Sequence, residues 1–495
     1  MGLISMGAYT TTVRIPQFIG LNQHGDGVGT DVRYAVEATN VLTKEGYLRP
    51  MAKCQLLEPM LESPIETLAR LHRRWHANPD ERDVFIAASD GQLYWALPTA
   101  TEWNRIPLPD EWIGMRYQGS KWSCVTYEIN PEGSEAPVDV LLLSNAKDGM
   151  ICVRGDDMTA SVVHTPKKFG VIARYAERIW GGAIDDDPDM LVYSAPYNPF
   201  DWAQNDDIPE DGAGDIQQPS WDGDGFQALT PFGSQLIAFK RTKVWRILGT
   251  NPGEYAFREQ YGGGTAYPQT VQVDVARVLM LGRDGLLRYD GESVSPYYQE
   301  YAKTVFERLN VRVLDKAVAC LHRGTYYCAI PIDGSQDNNA VLLFDTSERS
   351  WLLREGVEVE AFLSMGDDLY FTSATTPGRV WKWKEDCWKD GDPEAVRWVS
   401  GWQDFGSKNV AKGGYLVYLT VDCEEQVQLR IGIQTEKKLK MKTVTITPVS
   451  GRGAKQKRLT FGGSGRRFRL IIESDSTKAW RLLGGLQLEV ETDMD

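Results

Sequence analysis

The sequence predicts an all-β chain: a β-propeller of about seven blades followed by a C-terminal antiparallel β-sandwich. Three observations predict it. The 495 residues include 47 Gly, 16 Trp and 21 Tyr but only 5 His, the composition of many short strands joined by tight turns. Apolar runs broken by Asp-Gly and similar turns recur roughly every 35–60 residues, with room for another strand pair between them. Beyond residue 396, apolar and polar positions alternate as they do in half-buried strands.

Taken in order, residues 1–60 carry Gly-rich loops and the stretch 31–48, and a strand from this segment is expected to complete the last blade. The propeller is expected over 61–390. Its hairpins are DVFIAASDGQLYWAL (83–97), DVLLLSNAKDGMICV (139–153), QLIAFKRTKVWRI (235–247), RVLMLGRDGLLRY (277–289), AVLLFDTSERSWL (340–352) and DLYFTSATTPGRVWKW (368–383). Asp-Gly turns favour hairpins because the turn needs positive φ. A helical insertion is expected at 297–309, where Tyr298, Ala302, Val305 and Leu309 keep near-helical spacing behind Pro296. A weaker helical pattern covers 65–75. The acidic, Pro-containing stretch 386–394 reads as a linker, and 396–495 as the sandwich.

The net charge of −14 argues against a surface that coats nucleic acid, but it is unevenly spread. Residues 396–495 hold 17 Lys and Arg against 11 Asp and Glu, whereas the first 395 hold 37 against 57. The seven cysteines contain no C-x-x-C pair, so zinc, thioredoxin-type and disulfide-framework readings fail. No basic start followed by an apolar core marks a signal peptide, and no apolar run reaches the length of a membrane helix. The expected setting is intracellular, or assembly inside a cell, with no membrane.

Catalytic signatures are missing. There is no G-x-S-x-G, H-E-x-x-H or Walker motif. His72 and His76 stand four apart without the intervening glutamate a zinc protease needs, so an exposed basic turn is the simpler reading. Ser89-Asp90-Gly91 is explained by a hairpin turn, and the glycines at 25–29 and 262–264 do not sit in a strand–helix unit. No catalytic, cofactor-binding or metal residues are expected.

Two charged stretches remain. Residues 179–239 lack Lys and Arg but carry Asp185, Asp186, Asp187, Asp189, Asp201, Asp206, Asp207, Glu210, Asp211, Asp215, Asp222 and Asp224. They suit a solvated loop, a Ca²⁺ site without EF-hand spacing, or an acidic channel or inter-subunit wall that lets nucleic acid slide without sticking. Lys437, Lys438, Lys440 and Lys442, with Arg466, Arg467 and Arg469, suit either a blunted sheet edge or a docking patch for an acidic neighbour.

Several segments together resemble one family. AERIWGGAIDDDPDMLVYSAPYNPFDW (176–202) resembles a repeat signature of tailed-phage virion proteins, an R-x-W strand followed by a YSAP-x-x-P-x-DW turn. FKRTKVWRILGTNPGEYAFREQYGGGTAYPQTV (239–271) and LMLGRDGLLRYDGESVSPYYQEYAKTVFE (279–307) are similar to its continuation. GWQDFGSKNVAKGGYLVYL (401–419) resembles the start of the appended sandwich. The resemblance is to packaged-DNA stabilisation and tail nozzle or hub proteins of short-tailed phages. It implies a structural virion protein of the neck or tail, assembled in the host cytoplasm and without enzymatic activity. It implies a homo-oligomeric ring, with a hexamer favoured, around the DNA exit channel. The ring would link the portal–adaptor assembly to distal tail proteins and pass genomic DNA without sequence-specific binding. The alternative is a baseplate or tail-fibre propeller that binds or cleaves host surface carbohydrate, with Trp as stacking platforms. A cellular propeller scaffold is disfavoured by the missing Gly-His…Trp-Asp signature.

Overall fold

The computed structural model describes residues 9–24, 30–112, 121–131, 136–218, 223–260, 262–405, 408–448 and 454–492. Among them the chain is all-β and propeller-like, built mostly of four-stranded antiparallel meanders in sequence order. The first comprises Thr67–His72, Asp83–Ser89, Gln92–Ala96 and Asn104–Ile106. The second runs from Ser123–Ile129 to Ala160–Val163, and the third from Val171–Tyr175 to Gly214–Gln217. The fourth runs from Phe226–Phe232 to Ala256–Gln260, the fifth from Gln272–Asp274 to Val294–Pro296, and the sixth from Val318–His322 to Ser350–Glu355. In the seventh, Ala361–Met365, Asp368–Thr372 and Arg379–Lys382 take their fourth strand from Gln55–Met60.

The second strands of these meanders are almost wholly apolar and buried, as in Val138–Asn145, because each is covered on both faces by neighbouring meanders. The hairpins form where the turn chemistry places them. Asp90 and Gly91 both adopt positive φ between strands two and three of the first meander. Opening strands of successive meanders pack side by side around a centre, and that of the seventh packs against that of the first. Trp180 and Trp351 are fully buried between sheets, Trp383 is buried, and Trp95 and Trp245 are half-buried, so these rings are packing rather than exposed platforms.

The N-terminal segment does more than complete one meander. Tyr9–Ile15 pairs with Leu486–Thr492 at the C-terminal end. Ala35–Thr39 lies between Ser350–Glu355 of the sixth meander and Val396–Ser400, merging them into a nine-stranded sheet that ends at Leu439–Ile446. Only Gln55–Met60 joins the seventh meander. Residues beyond 396 therefore form two antiparallel sheets with N-terminal strands added to both, around one apolar cluster including Val417, Ile431, Phe461, Ile472 and Leu488.

Three local expectations change. Residues 65–75 are not helical: Thr67–His72 is a strand with four of its six residues buried, because both faces are packed. The insertion at 297–309 shrinks to a 3-10 turn at Gln299–Ala302 and a helix at Lys303–Glu307, because Tyr298 adopts a left-handed φ of 49° that halts helix upstream. The stretch 386–394 is tied down rather than free. Asp386 caps a short helix, Cys387–Asp390, and pairs with the buried Arg49 at 3.3 Å. The Arg481 guanidinium lies over the Trp388 ring at 4.7 Å.

Candidate functional site

The R-x-W and YSAP segments meet in the third meander. Ala176 and Glu177, both at positive φ, turn the chain into Arg178–Gly182. The Arg178 side chain is 1% exposed and points into the long loop 194–213 between strands three and four. Its guanidinium donates to the carbonyls of Ser194 (2.7 Å), Gly212 (2.6 Å) and Glu210, and stacks over Tyr193. The Ser194 hydroxyl accepts from Ile179 N–H at 3.0 Å. One buried cation thus satisfies carbonyls at both ends of a twenty-residue loop that has no ladder of its own. Trp202 stacks on Phe169 (5.2 Å between rings), and the Phe169 ring in turn lies over Gly181.

A Cβ at position 181 would stand 2.3 Å from the Phe169 ring. Gly181→Ala is therefore expected to lower stability by about 1–3 kcal/mol through overpacking, read as a lower thermal midpoint. An unchanged midpoint would show that Phe169 moves aside freely.

The acidic stretch does not form one wall. In an antiparallel meander, connections one–two and three–four share one end, whereas two–three and the link onward share the other. Asp185, Asp186, Asp187, Asp189 and Asp224 thus lie at one end. Asp201, Asp206, Asp207, Glu210 and Asp211 lie at the opposite end, and Asp215 is exposed on the fourth strand. Asp222 lies outside the described residues.

The first group is engaged by basic and N–H groups, most of them from outside the third meander. Asp185 pairs with Lys147, and Asp186 with Lys167 at 2.7 Å. Asp189 pairs at 2.5 Å with Lys240, whose side chain is wholly buried against Phe226. Asp187 accepts from Gln217, and Asp224 from the backbone N–H groups of Arg241 and Thr242. These contacts compete directly with cation binding, and among the described residues no group of three or more His, Cys, Asp or Glu is arranged to hold a metal. The linear absence of Lys and Arg is undone in space by Lys147 and Lys167 from upstream and Lys240 just after the stretch.

The hydrogen bond from Lys167 holds the Asp186 carboxyl below its ordinary value. The contact is fully formed above the usual carboxylate range and is lost as pH falls through the depressed value. Lys167→Met is expected to return Asp186 to the ordinary range, near 4, in a carboxyl NMR titration. An unshifted titration would rule out the pairing.

The opposite group is different in kind. Asp206, Asp207, Glu210 and Asp211 are exposed, and the same loop exposes Tyr197 (75%), Phe200 (40%) and Ile208 (52%). Sequence reasoning noticed the acids and missed these apolar tips, whose only signal was their position in a turn-rich segment.

The basic residues do gather. Lys437 and Lys438 form the turn between Val427–Thr435 and Leu439–Ile446, held by the Thr435 hydroxyl. Glu436 reaches across to the backbone N–H of Arg467 at 2.8 Å, bringing the turn at 466–467 alongside. Lys440 and Lys442 are exposed on the last strand of the sheet, with Lys442 over the Phe461 ring at 5.5 Å. Arg469 is half-buried over Trp402, and that burial pushes its guanidinium pKa down. Leu439 and Met441 are exposed on the same strand as Lys440 and Lys442.

The centre of the meanders holds a funnel of about 380 Å³ lined by the opening strands, including Arg70, Cys124, Gln272 and Phe362. Burial pushes the Cys124 thiol up to about 12, so it is no nucleophile at neutral pH. The funnel is far too small for a nucleic-acid duplex.

No family model matches the chain, and no curated protein matches it. Among solved structures it is similar to the computationally designed Ika8 protein, at 10% identity over 67% of this chain and 99% of that one, with a TM-score of 0.37. It is similar to PorZ of Porphyromonas gingivalis, a surface component of the type-IX secretion system, at 10% identity over 72% and 43% with a TM-score of 0.37. The Neurospora crassa Pan2 WD40 domain is similar at 9% identity over 67% and 96%, with a TM-score of 0.35. Likeness at this level says nothing of activity.

Proposed function

We propose that this chain is a structural virion protein of a tailed phage, a ring-forming subunit of the neck or tail nozzle. Its meanders are read as the seven blades of a propeller, closed by the N-terminal strand Gln55–Met60, and its C-terminal pair of sheets as a β-sandwich. The ring, with a hexamer favoured, surrounds the DNA exit channel in the virion and links the portal–adaptor assembly to distal tail proteins. DNA passes outside each subunit's own small funnel.

The observation that carries this reading is the use made of the R-x-W…YSAP…DW signature. Arg178, Ser194 and Trp202 spend their polar and aromatic groups on holding a surface loop in shape, which is what a scaffold motif does and a catalytic motif does not. Exposed acids on the same loop suit the inter-subunit surface that such a ring needs. An in situ map of the virion tests the proposal. The expected result is propeller-and-sandwich subunits in a ring around the DNA path. Subunits located at fibre tips, or purified chain that cleaves host polysaccharide, would replace it with the carbohydrate-directed reading.

A further inference from the structure

We infer that the loop 194–213 of one copy docks on the basic C-terminal sheet edge of the next, making a head-to-tail contact between copies of this chain. The inference rests on the ring-forming reading above and specifies which surfaces meet. The loop exposes Tyr197, Phe200 and Ile208 together with Asp201, Asp206, Asp207, Glu210 and Asp211, and contains no Lys or Arg. Such a surface, apolar tips among charges of one sign, is disfavoured in water unless a partner covers it.

The chain carries the complementary surface itself. Leu439 and Met441 are 52% and 37% exposed on Leu439–Ile446, the end strand of its sheet, which pairs only with Val427–Thr435 among the described residues. Met441 lies across Gly432, where a Cβ would stand 2.1 Å from its sulfur, so the apolar face is held flat. Lys437 and Lys438 adjoin it at the turn, with Arg466 exposed nearby, while Lys440 projects from the other face of the same edge strand toward Gly462. An open strand edge flanked by lysines is protected against indiscriminate pairing, yet suits an acidic partner.

The two surfaces sit on different parts of the molecule, the third meander and the sheet continued from the sixth. A contact between them is heterologous, and repeating it generates a closed ring or an open filament. A second copy is favoured over an unrelated partner because charge sign and apolar anchors both match within one sequence.

Sedimentation velocity on the full chain, at low and physiological salt, tests this with two triple reversals. One carries Asp206→Lys, Asp207→Lys and Asp211→Lys; the other carries Lys437→Glu, Lys438→Glu and Arg466→Glu. All six positions are exposed, so folding is expected to be unaffected, and thermal midpoints check this. Each variant alone is expected to weaken self-association at least about tenfold. Mixing the two, or combining all six changes in one chain, is expected to restore it, because every contact then again joins opposite charges. Tyr197→Ser is expected to weaken association without changing its salt dependence. Wild-type chain that stays monomeric at every soluble concentration, reversals without effect, or no restoration on mixing would each overturn the docking. The virion map judges the ring independently, so a ring built through other surfaces would leave the functional reading standing while this inference fails.

Discussion

Replacing Arg178 with methionine is expected to destabilise the protein by about 3–5 kcal/mol, seen as a lower urea midpoint. Methionine keeps the aliphatic stem and most of the volume, so the loss isolates the guanidinium. The carbonyls of Ser194, Glu210 and Gly212 would be left without their shared donor, in a place where Arg178 itself is 1% exposed. Arg178→Lys is expected to fall between the two, since one ammonium cannot match the planar fork that spans three carbonyls. The loop is expected to become the first site of limited proteolysis in both variants, because it has no strand ladder to hold it. A midpoint for Arg178→Met within about 0.5 kcal/mol of wild type would mean that water replaces the guanidinium freely and the clamp is ornamental.

The second large effect is expected at Arg354. Its side chain is fully buried in the last strand of the sixth meander. It donates to Ala52 O at 2.7 Å and to Lys384 O at 2.9 Å, pairs with Glu394 at 3.3 Å, and lies 4.3 Å from the Trp383 ring centre. One cation therefore ties together the N-terminal segment, the end of the seventh meander and the stretch that leads to the C-terminal sheets. Arg354→Met is expected to cost about 3–5 kcal/mol, the range for breaking a buried charged contact, because Glu394 and two carbonyls lose their partner. The double change Arg354→Met with Glu394→Gln is expected to recover part of this, since no uncompensated carboxylate then remains. Cleavage by added protease is expected to shift to residues 384–395. Equal stability of the single and double variants would show that Glu394 finds enough water to be indifferent to Arg354.

Much of the fold is legible in the sequence because strand alternation and turn chemistry are local. Asp83–Ser89 and Gln92–Ala96 flank Asp90-Gly91 where the pattern puts them, and the alternation of Val427, Leu429, Ile431 and Ile433 marks a strand with one buried face. What is not legible depends on partners distant in sequence. Nothing local distinguishes Thr67–His72, which alternates poorly because it is covered on both sides, from a helix turn of the same composition. The threefold sharing of the N-terminal segment, and the anchoring of 386–394, depend on contacts such as Arg49 with Asp386 across more than three hundred residues.

The charged stretches teach the same point. A run of acids without Lys or Arg reads as an unneutralised surface, yet Asp185, Asp186 and Asp189 meet Lys147, Lys167 and Lys240, the last a fully buried lysine just beyond the run. Linear charge counting fails wherever a meander folds its flanks back over its loops. In loop 194–213 the flanking Arg178 meets backbone carbonyls rather than the carboxylates, which stay exposed. The basic residues at 437–442 and 466–469 were legible as a group, because neighbouring turns of one sheet stay adjacent when it folds.

The strand Ala35–Thr39 has a mechanical consequence. On one side it is zipped antiparallel to Val396–Ser400 over most of its length. On the other it touches the sixth meander through the single parallel pair Thr39 with Leu353, reinforced by Asn40, whose N–H reaches Leu353 O and whose side chain accepts from Glu355 N–H. Load applied to the C-terminal sheets therefore reaches the propeller-like body through these strand contacts together with Leu21, which bridges Ala35 and Trp351, and the Arg354 ties. The antiparallel side is a ladder over most of the strand, whereas the side facing the sixth meander is held at its two ends, by Leu21 at Ala35 and by Thr39 with Asn40. Because the sixth meander and the C-terminal sheets also share one apolar cluster, the joint resists by packing as well as by these bonds, and pulling on one side strains the other.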